Sequence, residues 1–297
     1  MKILSFGEII WDVYDDRAVI GGAPMNFTAH CVKCGAEGYI LSAVGHDALG
    51  IAALSELSRL GVNSTFVGKS EHPTGSCRVT LDSNGIPTYS LATDTAYDYI
   101  QLTEGIAEQI RNECFDALCF GTLAQRNAIS ARTLKELLAE CDFKEIFCDL
   151  NLRPNAYCEA SVRLCLEHAT TLKLSEEEAP LLEGIGILHE CALSDPRAAM
   201  AEIFQKYPNI QRILYTKGAD GSEIHTREEC IEIAPVRIKA VSSVGAGDSY
   251  GAAWLTAMLG GASYADAARR AAKVSAFVVS CKEAVPNYSV EQIPLYL

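Results

Sequence analysis

Glu145-Ile-Phe-Cys-Asp-Leu-Asn151, Ala160-Ser-Val-Arg-Leu-Cys-Leu-Glu-His-Ala169 and Thr170-Thr-Leu-Lys-Leu-Ser175 follow one another along the chain. The first and third are short, largely apolar runs, the pattern of strands buried on both faces. The middle one suits a crossover helix, so together they read as a βαβ unit. Working outward, FDALCFG (115–121) and RILYTKG (212–218) repeat the strand pattern, and ISARTLKELLAEC (129–141) and PRAAMAEIFQKY (196–207) the helical one. Nearer the start, KILSFGEI (2–9) and YILSAVG (39–45) read as strands. PMNFTAHCVKCG (24–35) reads as a helix ending at Gly35, and DALGIAALSELSRLG (47–61) as one stopped by Gly61. Repeated βα units imply an α/β fold, a doubly wound, mostly parallel open sheet with helices on both faces.

Two stretches break the rhythm. Residues 13–22 and 75–100 alternate apolar and polar residues, the second around Asn84-Gly85, a turn dipeptide. They read as antiparallel strands outside the main sheet, either an edge extension or a small flap (lid) closing over a ligand. No internal repeat, low-complexity segment or linker interrupts the chain. The expected organisation is one domain over 1–297, with lid strands from about 13–22 and 75–100.

Bulk properties exclude several functions. A formal charge of −13 disfavours nucleic acid and anionic membranes as partners. No apolar run reaches the length of a membrane span, and the first residues lack a signal-peptide pattern, so a cytoplasmic protein is expected. In that setting the twelve cysteines read as reduced thiols. Cys31 and Cys34 have ligand spacing, but no second pair completes a zinc set.

The chemistry concentrates in Ser243-Val-Gly-Ala-Gly-Asp248-Ser-Tyr-Gly-Ala-Ala-Trp254. A strand-like VRIKAV (236–241) runs into a glycine-rich turn, and Asp248 opens an apolar helix. Gly245 and Gly247 leave the backbone bare, so nearby amides can close around an anion at the positive end of the helix dipole. A carboxylate would repel an anion held there. It makes sense as the acceptor of a proton from a hydroxyl that attacks a phosphoryl group. An N-capping Asp after a tight turn is the plainer alternative. Gly68-Lys69-Ser70 ends like a P-loop, but Asn63 stands where the first glycine is needed. No GxGxxG follows the first strand, which removes the fingerprint of a dinucleotide-dependent oxidoreductase.

With these motifs in hand, the chain resembles the ribokinase-like, phosphofructokinase-B-type carbohydrate kinases. Val244-Gly-Ala-Gly-Asp248-Ser-Tyr is similar to the family's carboxyl-terminal signature. Gly21-Gly-Ala-Pro-Met-Asn26 with Val44-Gly-His-Asp-Ala-Leu-Gly50 resembles its amino-terminal one. Gly7-Glu-Ile-Ile-Trp-Asp12 matches the opening strand, and Thr216-Lys-Gly-Ala-Asp-Gly221 a nucleotide-side turn. The resemblance implies phosphoryl transfer from ATP to a sugar hydroxyl. Asp248 would be the base, and the amides around Gly245, Ala246 and Gly247 the anion hole. Asp12, Gly22 and Asn26 would hold the sugar, with Arg153 reaching sugar oxygens or phosphates. Thr216, Gly218 and Gly221 would line the nucleotide, and Glu178 would organise Mg2+ through water. The resemblance also allows a homodimer through the lid.

Cys119-Phe-Gly-Thr-Leu-Ala-Gln-Arg126 and Cys148-Asp-Leu-Asn-Leu-Arg-Pro154 look like fructokinase-like members, which points to fructose or a related ketohexose. Ribose, a keto-deoxy sugar acid or a nucleoside stays open as acceptor, as does a catalytically idle sugar or nucleotide sensor. If the strand continues through 153, Asp149, Asn151 and Arg153 point to one side. Tyr89 and Tyr97 would lie in the flap. Ser242 replaces the Asp usual before the signature, which puts a monovalent-cation requirement in doubt, and Ser175 replaces a common Asn.

Overall fold

The protein was analysed as a computed structural model that describes residues 1–81, 87–153, 155–189, 195–291 and 293. The Asn84-Gly85 turn and Pro154 lie outside them. In chain order the elements are β1 (Lys2–Phe6), β2 (Ile10–Val13), β3 (Ala18–Gly21), α1 (Ala23–Lys33), β4 (Glu37–Gly45), α2 (Ala48–Leu60), β5 (Val67–Ser70), β6 (Gly75–Leu81) and β7 (Pro87–Leu91). They continue with α3 (Glu104–Glu113), β8 (Ala117–Phe120), α4 (Ala128–Glu140), β9 (Glu145–Asp149), α5 (Glu159–His168), β10 (Thr171–Ser175), α6 (Ala179–Gly184) and α7 (Pro196–Lys206). The last are β11 (Arg212–Thr216), β12 (Ser222–Thr226), β13 (Cys230–Ile233), α8 (Ala246–Leu259) and α9 (Tyr264–Val279).

The main sheet runs β13-β12-β11-β10-β9-β8-β1-β4-β5. Every pairing from β11 to β5 is parallel, because a helix-bearing crossover separates each pair of strands. Only the β11–β12–β13 edge is antiparallel, joined by short turns. Strands inside the sheet are apolar along their length: Ala117–Phe120 is buried throughout, as are Leu172, Leu174, Ile213 and Leu214. One packed layer collects Leu118, Leu134, Val162 and Ile203, and another Phe147, Trp254, Ala268 and Val274. The fold is therefore α/β with helices on both faces of a mostly parallel sheet.

A second, four-stranded sheet runs β3-β2-β6-β7. Its outer pairings are antiparallel and the central one, β2 with β6, is parallel. Polar contacts at several points tie it to the main body. Trp11 Nε1 donates to the Leu49 carbonyl at 3.1 Å. Asp47, which caps α2 by accepting from the Gly50 amide, also accepts from the Thr74 amide (2.8 Å) and hydroxyl (2.6 Å) at the root of β6. Beyond β7, Arg126 donates to the Ala92 carbonyl at 2.7 Å and grips Asp98 in a two-pronged ion pair at 2.7 and 2.8 Å.

Three local expectations are corrected. Residues 96–99 are not lid strand but a 3-10 turn closed by a Thr95–Asp98 capping box, and Tyr97 is fully buried in the main core instead of in the flap. VRIKAV is irregular: β13 already forms the sheet edge, and Ile238 (37% exposed) and Val241 (53%) face outward. The β9 strand stops at Asp149 and Asn151 has φ 44°, so the alternation through Arg153 breaks. Among the described residues no helix is long and apolar enough to cross a membrane.

Candidate active site

The site gathers where β1, β9 and β10 end and α1 and α8 begin. Gly245 is the N-cap of α8 with φ 80°, and a Cβ there would sit 2.5 Å from the Ala284 carbonyl oxygen. Both the left-handed backbone and the close approach demand glycine. The turn leaves first-turn amides of α8 without helical acceptors. The Ala246 amide reaches back to the Ser243 carbonyl at 3.3 Å, so the amides of Gly247 and Asp248 remain to face an anion. Ser242 braces the same turn, its hydroxyl accepting from the Val244 amide at 3.2 Å.

Asp248 Oδ2 accepts from Asn26 Nδ2 at 2.8 Å. The two residues are 222 apart in sequence and meet because α1 and α8 pack side by side. Burial raises the Asp248 carboxyl to about 6 and nearby Asp149 adds to the rise, against the pull of Asn26, Lys173 and Arg153. A carboxylate poised there suits a general base near neutral pH. Asn26 is 4% exposed, and among the described residues its Oδ1 has no hydrogen-bond partner, a buried acceptor left over beside Asp248.

Three charged groups that the sequence did not flag as site residues complete the floor. Lys173 Nζ bonds both oxygens of Asp149 at 3.0 and 2.9 Å. Burial works against its charge, but Asp149 and Glu178 hold it above its ordinary value. A Cβ on Gly247 would lie 3.0 Å from Lys173 Nζ, so the ammonium sits directly under the glycine turn. Glu8 follows β1, and its Oε1 accepts from the Ala23 amide at 3.2 Å. Burial pushes it up to about 7, with backbone donors opposing and Asp248 adding to the rise. The cleft is lined by Glu8, Pro24, Cys119, Gly121, Asn151 and Asp248, among others.

The other expected residues fall around this floor. Gly22 (φ 109°) caps α1, and a Cβ there would strike the Glu8 carbonyl oxygen at 2.4 Å, so its own chain requires glycine. Asp12 lies half-buried on β2 of the small sheet; burial raises its carboxyl and Arg153 opposes the rise. Arg153 is exposed and, among the described residues, its side chain makes no hydrogen bond or ion pair, although its charge is felt at Glu8, Asp12 and Asp248. Glu178 Oε1 accepts from the Leu152 amide (2.8 Å), and Oε2 from the Ser175 amide (2.8 Å) and hydroxyl (3.0 Å). Thr216 ends β11 beside β10, Gly218 opens an exposed 3-10 turn, and Gly221 packs on the Ile233 carbonyl. Tyr89 is on β7 and 56% exposed.

Fold and sequence together place the chain in a phosphotransferase family. The chain is a member of the pfkB family of carbohydrate kinases: residues 3–290 match the description "pfkB family carbohydrate kinase". The fructokinase of Escherichia coli is 27% identical over 268 residues, covering 86% of this chain and 84% of that one. The ribokinase of Bacillus subtilis is 25% identical over 277 residues, covering 91% and 86%. Among solved structures, the fructokinase of Xylella fastidiosa with bound ATP superposes with a TM-score of 0.84 at 20% identity, over 99% of this chain and 98% of that one.

Proposed function

We propose that this carbohydrate kinase transfers the terminal phosphoryl group of ATP to a hydroxyl of fructose or a closely related ketohexose, with Asp248 as the base. One observation carries the reading. Asp248, at the first turn of α8, is clamped by Asn26 beside exposed turn amides and over the Lys173 ammonium. Nothing in an anion site alone calls for that carboxylate.

The sugar lies between α1 and the small sheet. Asn26 Oδ1 accepts one of its hydroxyls, Asp12 accepts from another, and Arg153 swings in from solvent to sugar oxygens or phosphate. Asp248 then takes the proton of the attacking hydroxyl as the oxygen reaches the phosphorus. The Gly247 and Asp248 amides, with Lys173 below, stabilise the charge that gathers on the transferred group. Thr216, Gly218 and Gly221 border the nucleotide. Closure of the lid over the cleft would exclude water that competes as acceptor.

The residues present fit a magnesium ion held through water. Three donors fix the Glu178 carboxylate in orientation, and an unused lone pair remains for a metal-bound water. When bound, the ion supplies charge neutralisation on the phosphates. The preference for fructose over ribose rests on the sequence likeness of residues 119–126 and 148–154 to fructokinase-like members and on the fructokinase of E. coli. The test is coupled ADP release with magnesium-ATP across fructose, other hexoses, ribose, a keto-deoxy sugar acid and adenosine. The expected result is highest kcat/KM for fructose. Highest kcat/KM for another acceptor would discard the ketohexose reading and keep Asp248 as base.

A further inference from the structure

Away from the cleft, β12 and β13 bring together three side chains of metal-ligating type. Glu223 and His225 are two apart on β12, so they share a face, and Cys230 pairs with His225 across the hairpin. Glu223 Oε2 lies 2.7 Å from His225 Nε2. Cys230 Sγ lies 3.8 Å from that nitrogen and 3.9 Å from that oxygen. One ligand atom from each residue falls within 4.8 Å of the other two. Around a tetrahedral zinc ion with ordinary bond lengths, ligand atoms stand roughly 3.3–3.8 Å apart. The sulfur stands at the upper edge of that spacing from His225 and about 0.1 Å beyond it from Glu223, and the Glu–His contact has to open by less than about 1 Å.

The surroundings favour an ion over a chance cluster. The side chains of His225 and Glu223 are 5% and 13% exposed, whereas Cys230 is half-buried at the open side. Tyr215 packs edge-on against the imidazole at 6.3 Å. Lys217 Nζ holds Glu223 Oε1 at 2.7 Å, which fixes the carboxylate from behind and leaves Oε2 turned toward His225 and Cys230.

We propose that Glu223, His225 and Cys230 form a site for a thiolate-preferring divalent ion such as Zn2+, with water in the fourth position. On binding, the Cys230 sulfur gives its proton to solvent and bonds the ion as thiolate. His225 binds through an Nε2 lone pair with its ring proton on Nδ1. One carboxylate and one thiolate balance the ion's two charges. A sulfur–nitrogen–oxygen set selects against Mg2+, which takes oxygen ligands in octahedral geometry, so the site does not draw on the ion expected near Glu178.

The test titrates the reduced, metal-stripped full chain with Co2+, then Zn2+. One equivalent of Co2+ should give a thiolate-to-metal charge-transfer band that one equivalent of Zn2+ abolishes, and Zn2+ should raise the unfolding temperature. Cys230→Ser should abolish the band and the thermal shift, His225→Gln should weaken binding at least about tenfold, and Cys34→Ser should change neither. Should His225→Gln not fold, Cys230→Ser decides alone, because that side chain is half-buried and the exchange is conservative. A band that survives in Cys230→Ser, or no stoichiometric binding by the parent, overturns the site.

Discussion

The two ends of β9, β10 and β11 each bury an ion pair, and the pairs are built for different ends. At the amino-terminal end, Glu145 meets Arg212 at 3.0 Å and also accepts from the hydroxyls of Thr170 and Thr171, the latter at 2.6 Å. Arg212 donates further to Gln211 and lies over the Tyr264 ring. Three donors of its own chain hold that carboxylate, and none of them lines the cleft. At the carboxyl-terminal end, Lys173 meets Asp149, which lines the cleft together with Asp248, and beside Asp248 lie the α8 turn and the Asn26 oxygen that is unpartnered among the described residues. Open parallel sheets place ligands outside the carboxyl ends of their strands. Here the three strands turn their charged groups onto one another at one end, where among the described residues only Arg212 Nε of that pair lacks a partner, and border the cleft at the other.

The largest expected effect comes from Asp248→Asn. Turnover should fall by roughly 10²–10⁴-fold, the usual worth of a general base, with sugar KM near the parent's and folding intact. Steady-state kinetics with a folded mutant checks it, and a mutant as fast as the parent removes Asp248 from the chemistry. The next effect separates the two ion pairs. Lys173→Met and Arg212→Met each strand a buried carboxylate and should cost about 3–5 kcal/mol in denaturant unfolding. Removing both partners should recover most of that stability at either end. Glu145→Leu with Arg212→Met should then keep its turnover, whereas Asp149→Leu with Lys173→Met should not. Equal activity in the two double variants would erase the distinction between the ends.

How much of this the sequence disclosed follows from what is local. The parallel strands were legible because full burial writes itself as apolar runs such as Ala117–Phe120. The exposed loop 236–241 carries a similar apolar content, and nothing local distinguishes a strand from a loop whose Ile238 and Val241 face outward. Tyr97 was misplaced because alternation suggested a strand, while the Thr95–Asp98 capping box and Arg126 fold that segment into a turn. In the site, Asp248 and the glycine turn are contiguous and were readable. Lys173 was not: it stands in an apolar strand, and its task depends on Asp149 and Gly247, which sheet order alone brings to it. An isolated lysine inside such a run is the one signal that could have marked it. Glu8 was hidden likewise, an acid behind a strand whose burial arises from the α1 entry.

The smallest expected effect is a pH dependence that should appear at the open end of the sheet with opposite signs in activity and stability. Asp248 ionises at about 6 in the folded protein against an ordinary 3.8, so between these values the folded chain holds a proton that the unfolded chain has released. Its contribution to stability is complete below the lower value and is lost as pH rises through about 6. Glu8, at about 7 against 4.5, extends the loss upward. Activity runs the other way, because a base must be ionised to accept a proton: kcat/KM should decline as pH falls through about 6. Parallel denaturant and kinetic profiles between about pH 4.5 and 8.5 check both slopes. In Asp248→Asn the stability slope should shrink to the share of Glu8, which separates the two carboxyls. A kcat/KM that stays flat through about 6 in the parent would mean that Asp248 is already ionised well below that pH or is not the base.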